Sequence, residues 1–416
     1  MPDDATPDPY TDPIRFGQRM QILRTRRGLS RSVAAGLLGM SPSWVKQVER
    51  GEIGMPKLPT ILRIAELLRV RDLTDLTGDQ SAPVDLFIGP GHPRLQAVRD
   101  AVDSLVFDGD REGPSVAHLR ARLVTAWAAR HRAANHREVI GGLLPGLIRD
   151  AQLAVRRTDT AADRRTAQAI LSEVYSLSQF FIAYQPDSAL LWRVAERGMV
   201  AAQESEDPHA IGVAAWLAAQ AHRDSGPAHF DAADNMTVGA LAHLEQHLPG
   251  ADDRTTAIVG ALQFEAAYTA ARRGESGAAW GWWDKAEKTA KKLHEGYYHP
   301  VTSFSRAIMR AHAVTVAVEL RGGGESVRQA VAADSTAIPS RPRLARHRIE
   351  EARAYQLDGQ AETALATLEK AHKAAPETIK YNGYARRIVL EETESRVPAR
   401  RQRAAVLAER LGLLAA

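Results

Sequence analysis

No cysteine occurs in the 416 residues. Disulfides, thiolate nucleophiles and cysteine-ligated zinc are therefore excluded, and nothing points to an oxidising compartment. No window of 18 or more apolar residues is free of charge, so no membrane span is expected and a soluble cytoplasmic protein is the default expectation. The first 13 residues, MPDDATPDPYTDP, carry four Asp and neither Lys nor Arg. That is the opposite of a basic signal-peptide opening and reads as an acidic tail. No run alternates as a half-buried strand would.

Catalytic and metal patterns are equally scarce. His294 and His299 in HEGYYH stand five apart, with Gly296 between them and Pro300 after. A zinc-binding helix needs its two histidines four apart, on one face. The glycines at 322–324 precede no Lys-Ser/Thr pair and follow no strand, so they are no phosphate loop. No enzyme, metal or cofactor is expected.

What is present is a chain that is 44% hydrophobic and long enough for more than one core. Its Ala- and Arg-rich composition suits a high-GC bacterium. Charge is unevenly placed. Residues 14–78 hold twelve Lys/Arg against five Asp/Glu, a net +7, whereas residues 79–416 hold only +1. A basic excess confined to one segment is what phosphate binding requires.

That segment reads as five short helices. The first spans about Ile14 to Arg26, with Phe16, Met20 and Leu23 on one face, and ends at Gly28. Ser30 caps a second helix holding Val33, Ala34, Leu37 and Leu38, and Gly39 supplies the turn. Ser41 followed by Pro42 is a cap and then a proline at the first helical position. This third helix runs to about Arg50 and stops at Gly51. A fourth covers about Leu58 to Leu68, with Ile61, Ile64, Ala65 and Leu68 inward. A fifth starts at an Asp72 cap and ends near Gly78.

On the third helix Val45 and Val48 belong to the core. Ser43 and Gln47 share another strip, four apart, where short polar side chains reach base edges; Gln pairs bidentately with adenine. Arg31, Lys46, Arg50 and Lys57 are placed for phosphates. Ser41, Pro42 and Trp44 complete the expected DNA-facing set. Trp44 has two open readings, packing beside the fourth helix or lying against the sugar-phosphate backbone.

Residues 14–78 resemble the XRE family, the Cro and phage-repressor type of helix-turn-helix. The match rests on Leu23, Arg24, Gly28, Leu29, Ser30, Ala35, Leu38, Gly39, Ser41, Ser43, Val45, Val48, Glu49, Arg50 and Gly51. The resemblance implies a five-helix DNA-binding domain acting as a dimer on an operator. It also implies that Arg24 and Glu49 form a structural ion pair joining the first and third helices. Two positions depart from the family: Arg31 stands where Gln is frequent, and Pro42 where a polar residue is common.

Residues 79–93, with three prolines, read as a linker. Residues 94–416 read as helices throughout. Ala267, Ala270, Gly274, Ala279, Trp283 and Ala286 fall at fixed offsets. Ala352, Tyr355, Gly359, Ala364, Leu368, Ala371 and Pro376 repeat them. Small residues at these offsets let paired helices approach closely. The pattern resembles the tetratricopeptide repeat, and helix pairs are also expected at about 165–205, 208–247 and 301–334. The resemblance implies a right-handed superhelix whose concave groove takes a peptide or a small molecule. Trp280, Trp282, Tyr297 and Tyr298, with Arg272 and Lys288, are the candidate groove residues, against the alternative of inter-repeat packing.

The expected fold is thus all-α, a five-helix reader followed by a tetratricopeptide-like array. The layout resembles peptide-sensing quorum regulators and actinobacterial XRE regulators. It implies a sequence-specific transcriptional regulator whose array dimerises and senses a signal. The alternative is a protein-interaction adaptor localised on DNA by its reader.

Overall fold

The structure is a computed structural model, and it describes residues 13–68, 70, 74–77, 91–104 and 113–413. Helices make up the fold, and no strand occurs among the described residues. The chain divides into two compact units. One comprises the residues up to Gly91 together with Thr393–Arg396; the other comprises His92–Glu392 and the residues from Val397 onward. The expected acidic tail, most of the expected linker, and Asp72 and Gly78 lie outside the described residues.

The N-terminal unit holds α1 (Pro13–Arg26), α2 (Arg31–Leu38), α3 (Pro42–Glu49), α4 (Leu58–Leu68) and α5 (Thr74–Thr77). Its boundaries follow from local chemistry. The Ser30 hydroxyl accepts a hydrogen bond from the Val33 N–H at 3.2 Å, and the Ser41 hydroxyl accepts one from the Trp44 N–H at 3.0 Å. Each satisfies an N–H that the first helical turn leaves unpaired. Gly39 closes α2 at φ 66°, the left-handed conformation that costs glycine nothing.

Phe16, Met20, Ala35, Leu38, Val45, Val48, Ile61, Ile64, Ala65, Leu68 and Leu76 form one core. Of the four apolar residues expected in α2, Ala34 and Leu38 are buried, whereas Val33 and Leu37 are half-exposed on the outer face. Gly17 was silent in the sequence. A Cβ there would collide with the backbone carbonyls of Val48 and Glu49, so its missing side chain lets α1 lie on the end of α3.

The larger unit begins with α6 (Leu95–Asp103), α7 (Val116–Arg132) and α8 (His136–Arg157). Helical hairpins follow: α9 (Ala161–Ile182) with α10 (Ser188–Ser205), α11 (Pro208–Asp224) with α12 (Phe230–Glu245), and α13 (Asp253–Arg273) with α14 (Ser276–Ala290). Next come α15 (Ile308–Glu319) with α16 (Gly323–Ala332) and α17 (Arg341–Leu357) with α18 (Ala361–Ala374). The chain ends in α19 (Pro376–Tyr381), α20 (Gly383–Thr393) and α21 (Pro398–Arg410).

The two strong repeat signatures fall on hairpins. Ala267, Ala279 and Ala286 are fully buried where α13 meets α14, as are Ala352, Ala364, Leu368 and Ala371 where α17 meets α18. Gly274 at φ 86° and Gly359 at φ 79° make the two tight turns. The weaker expected pairs fall on α9–α10, α11–α12 and α15–α16.

The body departs from a simple array in one respect. In a solenoid each repeat touches only its neighbours. Here α7 packs against α17, and His131 at the end of α7 lies 2.8 Å from the Ser340 hydroxyl at the start of α17. Glu377 of α19 reaches the N-terminus of α8, where its carboxylate accepts from the Arg137 N–H at 2.6 Å and the Glu138 N–H at 3.2 Å. A carboxylate suits the positive end of a helix. The array is therefore tied back on itself by contacts 209 and 240 residues apart in sequence.

Candidate DNA-reading surface and ligand sites

α3 has two faces. Val45 and Val48 are buried at 0% and 1% exposure. Ser43, Lys46 and Arg50 are exposed, and Gln47 is half-buried. Pro42 and the Ser41 cap begin the helix on the same solvent side. Trp44 packs part-buried against the core, in line with its packing alternative. Lys57 is exposed, its ammonium 3.7 Å from Glu394 within the same unit. Arg50 lies 3.5 Å from Glu52, a solvent-screened pair.

Glu49 anchors the back of α3. Its carboxylate is 0% exposed and accepts from Arg24 Nε at 2.5 Å and Arg24 Nη2 at 3.2 Å. Arg24 also donates to the Leu29 carbonyl at 2.6 Å, tying the α1–α2 turn to α3. Arg31, expected to meet a phosphate, also reaches the same carboxylate. Arg31 Nε lies 2.6 Å from Glu49 Oε2, so the pair becomes a triad. With its side chain 40% exposed, Arg31 presents only the outer part of its guanidinium to a phosphate. The second arginine was hidden because residues 31 and 49 share no helix and no periodic register.

Of the six candidate groove residues, Trp280, Trp282 and Tyr297 pack part-buried against the main core of the body. Trp280 meets Trp283 edge-on at 5.8 Å and packs against the core. Trp282 packs part-buried against the same core and carries the Lys285 ammonium 3.9 Å over its ring. Trp283 is buried and donates to the Met309 carbonyl at 3.2 Å. Lys288 is exposed. Arg272 lies 3.4 Å from Asp224 and 3.9 Å from Glu319. Tyr297 is half-buried, and burial pushes its hydroxyl up to about 12. Tyr298 lies elsewhere, edge-on to His131 at 6.1 Å.

Two polar settings in the body carried no sequence signal. One is a small, partly open pocket lined by Arg120, Ser172, Glu173, His209 and Arg254, among others. His299 stands behind it, fully buried. Its Nδ1 accepts from the Val301 and Thr302 N–H groups, so its proton sits on Nε2 and points to His209 Nε2 at 2.9 Å. His209 Nδ1 lies 3.0 Å from Arg254 Nη2 on its other side.

The other setting is an internal row of charge. Arg223 pairs with Glu265, Arg346 with Glu350, and Arg353 with Glu319 and Glu350 at 2.7 Å each. Tyr268 and Tyr384 lie under the Arg223 and Arg353 guanidiniums at 3.9 and 3.7 Å. Among the described residues no cluster of His, Asp and Glu has the makings of a metal site.

The geometry of the N-terminal unit is that of a helix-turn-helix domain, and residues 15–76 match the family model of that description. No curated protein matches the chain. Among solved structures it is similar to Bacillus thuringiensis PlcR in complex with the peptide PapR7 and DNA, at 11% identity over 96% of each chain. The TM-score of that superposition is 0.21, too low to bear on fold or function. No described helix is long and apolar enough to cross a membrane.

Proposed function

We propose that the protein is a sequence-specific DNA-binding transcriptional regulator that reads an operator with α3. The observation that carries this reading is the division of α3. Its valines are locked into the core, while Ser43, Lys46, Gln47 and Arg50 stand clear of it. The second helix of a helix-turn-helix enters the major groove with such a face. Lys46 and Arg50 supply phosphate contacts, and Ser43 and Gln47 supply base contacts.

One copy offers few base-reading side chains, so we infer that two copies act together on paired half-sites. The helical body then serves as the dimerising and signal-sensing part. A ligand that alters the α7–α17 seam would alter the spacing of the two recognition helices. Half-sites require that spacing to be roughly 34 Å or a multiple. Among the described residues of the body no constellation calls for catalysis, and the reading proposed is non-enzymatic.

Genome-wide mapping of bound DNA tests the proposal. Recovered fragments should share a short inverted-repeat motif. Fragments without a common motif would remove sequence-specific reading. Arg31→Ala gives a finer check. Because Glu49 already holds part of its guanidinium, the salt slope of binding should fall by less than the roughly one unit of a full phosphate contact. A drop of a full unit would restore Arg31 to the phosphate set.

A further inference from the structure

We infer that the helical body recognises a segment of its own chain, residues 299–304 (HPVTSF), as an array recognises an extended peptide. This rests on the proposed role of the body as a ligand-binding array and names an occupant for it. The binding surface is filled in cis, by the stretch between α14 and α15.

Connections between helices run over the surface, because a buried one would strand its backbone N–H and C=O groups. This connection goes inside. His299 and residues 301–305 are all buried, and Pro300 is exposed. The segment satisfies its own backbone. The His299 N–H donates to the Phe304 carbonyl at 3.1 Å, and the Ser303 N–H donates to the His299 carbonyl at 2.9 Å. The Val301 and Thr302 N–H groups donate to His299 Nδ1, and the Phe304 N–H donates to the Thr302 hydroxyl. Ser303, at φ 64°, makes the turn. A segment folded on itself in this way keeps one shape, pre-organised as a good ligand is.

Helices far apart in the sequence read that shape at three points. The Phe304 ring fills a notch over Gly260 of α13, where a Cβ would collide with the ring. His299 Nε2 meets His209 Nε2 of α11 at 2.9 Å. The Pro300 carbonyl accepts from His131 Nε2 of α7 at 2.7 Å. The other nitrogen of His131 lies 2.8 Å from the Ser340 hydroxyl, so the same imidazole passes the contact on to the start of α17.

An apolar anchor in a notch, a polar side chain met by a partner and a main-chain carbonyl held by a donor are the elements of peptide recognition. Packing accounts for the first. The other two are directional, and together they fix the register of the segment on the helices. A peptide supplied from outside would have to displace a segment already tied to α7, α11 and α13.

The test uses the full chain with residues 297–306 replaced by a Gly-Ser linker of equal length, and the synthetic peptide YYHPVTSFSR supplied in trans. Fluorescence anisotropy should show saturable binding of one peptide per chain, and the melting temperature should rise toward that of the parent protein. If the linker variant is unfolded alone, the peptide should restore its helical circular dichroism. A peptide carrying His299→Ala and Phe304→Ala should bind at least tenfold more weakly. The parent protein, its site filled, should bind neither. Gly260→Ala in the otherwise native chain gives a second reading. Crowding the notch should speed hydrogen exchange at Val301–Phe304 at least tenfold and leave the protection of α18 unchanged.

Four results would overturn the assignment. The linker variant, folded or not, gives no saturable response to the peptide; the doubly substituted peptide binds as well as the native one; the parent protein binds the peptide as tightly as the linker variant; or Gly260→Ala leaves exchange at Val301–Phe304 unchanged. Operator binding plays no part in these measurements, so the DNA-reading proposal stands or falls separately. A signal sensed elsewhere on the body would survive failure here.

Discussion

The two units dispose of charge in opposite ways. In the helix-turn-helix unit the buried carboxylate, Glu49, is held by two arginines, and Lys46, Arg50 and Lys57 face solvent. In the body one row of arginines turns inward, Arg223, Arg346 and Arg353 in pairs with Glu265, Glu350 and Glu319. Outward cations suit a long polyanion approached from water, whose counterions they displace. Inward cations stay matched one to one with carboxylates, because breaking such a pair strands a charge out of water. Histidine divides the same way. All 14 lie at or beyond His92, and none precedes it.

Acid should break this comparison most strongly. Burial lowers His131 and His209 to about 4 and His136 to about 2, and drives His299 and His312 well down. Folded, these rings are neutral; unfolded, they take up protons near pH 6.5. The stability they contribute is therefore present above about pH 6.5 and lost as the pH falls below it. At pH 5 the loss is about 2 kcal/mol for each such histidine. The body should lose several kcal/mol between pH 7 and pH 5, while the helix-turn-helix unit, lacking histidine, keeps its transition. Calorimetry of the full chain across this range separates the two; equal losses in both units would contradict the account.

Glu49→Ala reverses the pattern. It leaves Arg24 buried without its carboxylate and should cost the helix-turn-helix unit about 3–5 kcal/mol. The body transition should not move. A variant that unfolds like the parent protein in urea would remove the triad from the account.

Glu377→Ala acts on the body alone. It frees two N–H groups at the start of α8 and unties one end of the array, at a cost of about 2 kcal/mol. Hydrogen exchange should rise first at Arg137 and Glu138. Unchanged protection there would mean that the tie carries no weight.

The units also differ in what their sequence disclosed. The helix boundaries at Ser30, Gly39 and Ser41, and the buried valines of α3, follow from caps, turns and periodicity within a few residues of each other. The α13–α14 and α17–α18 hairpins were legible for the same reason, because small residues at fixed offsets mark where two neighbouring helices touch. The Arg31–Glu49 contact, the Gly17 approach and the Glu377 cap were not legible. Each depends on which distant segment arrives at a position, and no local spacing records that.

The central claim is that α3 reads bases through Gln47, and one measurement bears on it directly. Anisotropy titration of the full chain on its mapped site, and on single-base variants of that site, gives a specificity ratio at each position. Gln47→Ala should flatten the ratio at one base step by ~1–3 kcal/mol and leave affinity for unrelated DNA unchanged. Equal weakening on every sequence would contradict the assignment and reduce α3 to a phosphate-binding helix.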